Sequence, residues 1–140
     1  MFTRTETGNI SHIPPMNLNQ VSLPAHDIAR SIMFYETLGL KLIVRSDDYA
    51  RFELPQGDAT LSLYLTKADP SHAPAIHIYL ECADVDQRVR ELRAHGVEFS
   101  GEATDQVWLW CEAWLNDPAR NEICLYHVGA NRKNPPSRIG

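Results

Sequence analysis

The sequence predicts an α+β fold made of two βαβββ modules, and three observations predict it. A run of residues recurs at fixed offsets. Gln20-Val21-Ser22-Leu23 is followed by Asp27, Ile28, Ile32, Tyr35 and Gly39; His77-Ile78-Tyr79-Leu80 is followed by Asp84, Val85, Val89, Leu92 and Gly96. Gln20 maps to His77, Asp27 to Asp84 and Gly39 to Gly96 without a gap, as when one supersecondary unit is used twice. Within each copy a strand pattern gives way to a stripe of helical period. Three further short runs of strand character then follow each copy, separated by turn residues.

The elements follow in order. Residues 1–16 carry Gly8, Pro14 and Pro15 without periodicity and read as an extended N-terminal arm. Residues 17–24 read as a strand. Asp27 opens a helix whose apolar positions are Ile28, Ile32 and Tyr35, and Gly39 ends it. Residues 40–45, 49–54 and 59–65 read as strands, with a turn at Pro55-Gln56-Gly57-Asp58. The link at 67–74 is polar and contains Pro70 and Pro74. Module two then gives a strand over 76–82 and a helix opened by Asp84, with Gln87 three residues on as in a capping box. That helix carries Val85, Val89 and Leu92 and stops at Gly96. Residues 97–100, 107–115 and 122–127 read as three more strands, and 129–140 as a tail. The domain is thus 17–128, with modules at 17–66 and 75–128.

Composition narrows the function classes. A chain of 140 residues suffices for one domain with a real core, so the repeat describes two halves of one domain. A formal charge of −5 argues against nucleic acid, which needs a basic face. No apolar run approaches the length of a membrane span, and residues 1–15 lack a signal-peptide core, which predicts a cytoplasmic protein without a membrane partner. Cys82, Cys111 and Cys124 form no CxxC pair and are odd in number, as expected of reduced thiols.

Strand parity sorts the side chains into two faces. The aliphatic parity holds Val21, Leu23, Ala50, Phe52, Leu61, Leu63, Ile78, Leu80, Ile123 and Leu125, and belongs under the helices. The other parity is polar and aromatic: Gln20 and Ser22; Tyr49, Arg51 and Glu53; Thr60, Ser62 and Tyr64; His77, Tyr79 and Glu81; Glu122, Cys124 and Tyr126. It reads as the lining of a ligand cavity or as a solvated face. Glu112 shares its parity with Trp108, Trp110 and Trp114, all three tryptophans of the chain, as an aromatic wall or a core stripe. Arg51, Ser62, Tyr64, Tyr79, Trp108 and Trp110 are therefore candidates for substrate binding. Arg45 and Arg51 are surface charges, or forks for a carboxylate or phosphate. Glu112 between tryptophans is the candidate acid or base, the alternative being a salt bridge.

These motifs together resemble the vicinal oxygen chelate superfamily, which includes glyoxalase I, extradiol dioxygenases and bleomycin-resistance proteins. They are Gln20-Val-Ser-Leu-Pro with Asp27, Phe34-Tyr35 before Leu38-Gly39-Leu40, His77-Ile-Tyr-Leu with Asp84, and Asp117-Pro118 before Asn121-Glu-Ile-Cys-Leu-Tyr126. The resemblance covers roughly residues 17–128. It implies a glyoxalase-like fold, a curved mixed sheet around a central cavity, a small-molecule ligand or substrate, a homodimer and no nucleotide cofactor. It also implies one divalent metal (zinc, iron, nickel or manganese) held by Gln20, His77 and Cys124. Gln20 and His77 conform to the family's ligand pattern. Ser62 and Cys124 stand where glyoxalase I has carboxylates, and without these its chemistry lacks both charge neutralisation and a base. Arg120 stands where the family has Gly, which carries a steric penalty if that turn keeps a positive φ.

Three functions follow as alternatives. One is a metalloenzyme, a lyase or dioxygenase with a degenerate metal site. The second is a metal-free binding protein for a drug-like molecule. The third is a metal-free enzyme working through Glu112 or Cys124.

Overall fold

The repeat in the sequence is also a repeat of hydrogen bonds. In the computed structural model, which describes residues 13–69, 76–106 and 111–139, the two modules follow one plan. Module one holds β1 (Gln20–Ala25), α1 (Ile28–Thr37), β2 (Lys41–Arg45), β3 (Tyr49–Glu53) and β4 (Thr60–Leu65). Module two holds β5 (His77–Glu81), α2 (Val85–Ala94), β6 (Thr104–Asp105), β7 (Cys111–Asn116) and β8 (Glu122–His127), then a short 3-10 helix at Gly129–Arg132.

Each helix starts and ends by the same chemistry. The Asp27 carboxylate accepts the Arg30 N–H at 3.0 Å, and that of Asp84 accepts the Gln87 N–H at 3.0 Å. At the far ends Leu40 N–H donates to Tyr35 O and Gly39 N–H to Glu36 O; Val97 N–H donates to Leu92 O and Gly96 N–H to Arg93 O. This pair of bonds is the Schellman closure, and it needs a left-handed residue after the helix. Gly39 at φ 100° and Gly96 at φ 88° supply it.

Hydrogen bonding makes two four-stranded mixed sheets, ordered β1-β4-β3-β2 and β5-β8-β7-β6. In each, the first strand runs parallel to the last and the other pairs are antiparallel. The aliphatic parity packs beneath the helices, with Leu23, Ala50, Phe52, Leu61, Leu63, Ile123 and Leu125 all buried. Full burial of such an aliphatic or aromatic side chain contributes about 1.5–3 kcal/mol. One core holds residues of both modules, because Leu92, Leu115, Ile123 and Leu125 join Ile28, Ile32 and Tyr35 of α1.

A buried clasp ties the halves together. Tyr35 donates its phenol to Asp117 Oδ2 at 2.6 Å, and Asn121 donates its amide to the Pro24 carbonyl at 2.9 Å. Asp117 also accepts the Ala119 and Asn121 backbone N–H groups, each at 2.9 Å, so its buried carboxylate is fully bonded. Burial, followed by the charge of Asp117 beside it, pushes the Tyr35 phenol far above its ordinary value.

Several boundaries differ from expectation. The first strand begins at Gln20, where its partner β4 begins, and the segment before it pairs only through Thr60 N–H to Asn19 O. Residues 97–100 are not a strand. Arg93 holds the segment after them through Gly101 O and the Glu102 carboxylate, and ladder pairing is delayed to Thr104. The strand expected over 107–115 is β7, and its first four residues, Trp108 and Trp110 among them, lie outside the described residues. No helix among the described residues is long and apolar enough to cross a membrane.

Candidate functional site

Side chains on the face of each sheet away from the core fall into rows, set by strand register. On the first sheet one row is Gln20, Thr60, Glu53 and Lys41, and the next is Ser22, Ser62, Arg51 and Val44. A third holds Pro24, Tyr64 and Tyr49. On the second sheet the rows are His77, Glu122 and Asn116; then Tyr79, Cys124 and Trp114; then Glu81, Tyr126, Glu112 and Thr104. The modules match row by row, with Ser62 and Cys124 at the centre of each.

Those two central residues are fully buried, although they lie on the faces away from the core. Ser62 donates to Ser22 Oγ at 2.8 Å. Arg51 donates Nε–H to the Tyr49 phenol at 2.9 Å. Hydrogen bonding from Ser62, then from Arg51, holds the Tyr49 phenol below its ordinary pKa. Tyr64 is exposed at the end of the face. Arg45 pairs with Ala50 beyond an irregularity in β2, which turns it to the opposite parity, so Arg51 alone of the two arginines stands on this face.

The second face is aromatic and acidic. Trp114 meets His77 edge-on at 4.9 Å and Tyr79 edge-on at 5.6 Å between ring centroids, and Tyr79 meets Tyr126 at 5.4 Å. Such contacts add about 0.5–1.5 kcal/mol each beyond area burial. The buried Glu112 accepts the Trp114 indole N–H at 3.1 Å, which fixes the ring plane. His77 Nε2 lies 2.8 Å from a Glu122 oxygen. Desolvation, then the charges of Cys124 and Glu112, raise the Tyr79 phenol pKa.

The residues expected to hold a metal do not fit one as placed. A thiol binds metal as thiolate. Burial, aided by the charge of Glu112, pushes the Cys124 thiol up to about 12. Its sulfur lies 3.7 Å from the Leu125 carbonyl oxygen. Gln20 Oε1 accepts from Thr60 at 2.8 Å. His77 is engaged by Glu122, and no group of three or more His, Cys, Asp or Glu among the described residues is placed to hold a metal ion.

The cavity between the modules lies elsewhere. It has a volume of about 660 Å³ and opens along the free edge of β5. Its walls are Leu38, Leu40 and Leu54 from module one and Leu80, Leu92 and Leu125 from module two, with Arg88 and His127 as polar members. Of the described candidates only Tyr79 lines it. Arg51, Ser62, Tyr64, Gln20, His77, Cys124 and Glu112 stand outside it.

The sequence reading placed Tyr49 and Glu122 on the polar faces but did not pair Tyr49 with Arg51 or Glu122 with His77. The repeat held the signal for Glu122: the first residue of the closing strand faces the first residue of the opening strand in both modules.

Comparison with known proteins agrees with this architecture. A glyoxalase/bleomycin resistance protein/dioxygenase from Nocardioides superposes with a TM-score of 0.70 at 23% identity, over 93% of each chain. A lactoylglutathione lyase from Agrobacterium tumefaciens gives 0.68 at 18% identity, over 82% of this chain and 96% of that one. A bleomycin-binding protein complexed with bleomycin gives 0.65 at 22% identity, over 81% of this chain and 98% of that one. At these identities the likeness is one of fold. No curated protein matches the chain. Residues 17–125 match the family described as the Glyoxalase/Bleomycin resistance protein/Dioxygenase superfamily, and the chain belongs to it.

Proposed function

We propose that the chain binds, without a metal, a small organic molecule carrying a flat ring, on the open face of the second sheet. The observation that carries this reading is the edge-to-face cluster of Trp114 with His77 and Tyr79, on a face where Tyr79 remains exposed. The exposed Tyr79 ring beside the half-buried Trp114 offers a flat ligand both area and edge contacts. Glu112 positions the indole, and no proton transfer is assigned to it. Ser62, Tyr64 and Arg51 belong to the corresponding face of the first sheet.

The bonds that Gln20 and His77 already make support the metal-free side of the reading, and the raised pKa of the buried Cys124 thiol speaks against a nucleophilic role, since activation requires a thiolate. The bleomycin-binding relative carries bleomycin in its complex, which supports a binding role on this fold without naming the ligand here. A homodimer is part of the proposal, because Tyr64 and Tyr79 are exposed on the two open faces. A cytoplasmic location is too.

Tryptophan emission during titration with a panel of mono- and bicyclic aromatic compounds tests the reading, alongside elemental analysis of protein purified without chelator. We expect saturable quenching by at least one compound, about tenfold weaker in Trp114→Ala, and no stoichiometric metal. Stoichiometric metal that ring compounds require for binding, or Trp114→Ala binding as tightly as the native chain, would overturn it.

A further inference from the structure

The first sheet carries a partly buried arginine, Arg51, without a carboxylate partner among the described residues. Arg51 stands across from Ser62, which stands across from Ser22, in the middle of the open face. Its Nε is taken by the Tyr49 phenol at 2.9 Å, and its guanidinium carbon lies 5.4 Å from the centre of that ring. Neither contact neutralises the charge. The neighbouring acid on the same strand face, Glu53, is turned to Lys41 at 3.7 Å. Among the described residues no carboxylate lies within ion-pair distance of Arg51.

The surroundings are built for negative charge. With Nε held by Tyr49, the Nη1 and Nη2 side of the fork has no partner among the described residues, and it is this side that meets an oxyanion through two parallel bonds. The Tyr49 hydroxyl lies at its Nε, and Ser62 and then Ser22 continue the same row across the neighbouring strands. The Tyr49 phenol is held below its ordinary pKa by Ser62 first, and then by the bond and the charge of Arg51.

We propose that Arg51, aimed by Tyr49, anchors an oxyanion group, a carboxylate or a phosphate, on the small molecule that the protein binds. The proposal rests on the reading that the open faces bind a small molecule, and it adds the charge of that ligand. Tyr49 is a positioning residue in it: by holding Nε it aims the rest of the fork.

The test uses the full chain, labelled with nitrogen-15, and three probes in low-salt buffer: inorganic phosphate, benzoate and benzyl alcohol. Phosphate and benzoate are expected to shift the amide signals of Tyr49, Arg51 and Ser62 saturably; benzyl alcohol is expected to leave them in place. Arg51→Gln should weaken benzoate and phosphate at least tenfold. Arg51→Lys, which keeps the charge and loses the fork, should weaken benzoate about threefold. Tyr49→Phe should weaken benzoate while leaving the unfolding midpoint unchanged.

Equal benzoate affinity in the native chain and Arg51→Gln, or no saturable phosphate shift, overturns the anchor. If Arg51→Gln does not fold, unchanged affinity in Arg51→Lys overturns it instead. Benzyl alcohol quenching Trp114 while phosphate leaves Arg51 unmoved would discard the anchor and keep the ring-binding reading. Phosphate held at Arg51 with no ring compound bound would do the reverse.

Discussion

His77 Nε2 lies 2.8 Å from Glu122 Oε2, and at the equivalent place in the other module Thr60 Oγ1 lies 2.8 Å from Gln20 Oε1. The residue that opens each module is therefore bonded to the first residue of the strand that closes it. Parallel register produces this in both halves, since the opening and closing strands start level with one another.

Both partners of the His77–Glu122 pair are roughly half exposed, so solvent screens it. Glu122→Ala should lower stability by less than about 1 kcal/mol, read from the urea midpoint at neutral pH. A loss above about 2 kcal/mol would show the pair to be a structural brace.

The Tyr35–Asp117 contact belongs to a different class, because both side chains are buried. Tyr35→Phe leaves Asp117 Oδ2 with one donor fewer and should cost about 1–3 kcal/mol. Asp117→Ala strands the phenol and two backbone N–H groups together, and should cost about 3 kcal/mol or more. Urea unfolding of the two variants beside Glu122→Ala checks the ranking.

Arg120 has φ 68° in the turn between β7 and β8, the sole non-glycine with positive φ among the described residues. A left-handed conformation costs an L-residue about 1–2 kcal/mol. Glycine adds chain entropy to the unfolded state, which offsets about half of the relief. Arg120→Gly should therefore stabilise the fold by about 0.5–1 kcal/mol, seen as a higher unfolding midpoint. A midpoint that falls would mean that the arginine side chain supplies more than the strain removes.

Stability should also respond to alkali through Cys124. Its thiol is raised from an ordinary value near 9 to about 12 in the fold. Between those limits the unfolded chain releases a proton that the folded chain keeps. The contribution is thus fully present below pH about 9 and is lost as pH rises towards 12. Tyr35 titrates in the same sense, so the check is a comparison: Cys124→Ala should show a shallower loss of stability over this window than the native chain. In the native fold Cys124 should also resist iodoacetamide at pH 8, while labelling readily in urea.

Local order was readable where one residue type has one job. Asp27 and Asp84 cap, Gly39 and Gly96 close, and aliphatic parity goes under the helices; each follows from a backbone requirement carried by the residue itself. The segment 97–100 misled because Val97 and Phe99 alternate like a strand, whereas Arg93 of the preceding helix lies over Phe99 and bonds the two residues that follow the segment. The site was legible as two faces and illegible as a cavity. Parity tells which side chains share a face; it does not tell which faces meet. Hence Arg51, Ser62 and Tyr64 fall together on one sheet and His77, Tyr79, Glu112 and Cys124 on the other, while the cavity between modules is lined by leucines that parity had assigned to packing. Arg120 was legible only through the resemblance, which has Gly at that turn; its φ of 68° shows that the turn keeps a positive φ although the residue is not glycine.

The clasp of Asp117 has a consequence for how the molecule can be taken apart. Its carboxylate belongs to one half and its strongest donor to the other, and the amide of Asn121 reaches back to Pro24. Separated, each half exposes a leucine-lined surface and leaves polar groups that only the other half satisfies. A chain cut between Asp69 and Ile76 should therefore behave as a fragment-complementation pair: neither piece holds native structure alone, and mixing restores it.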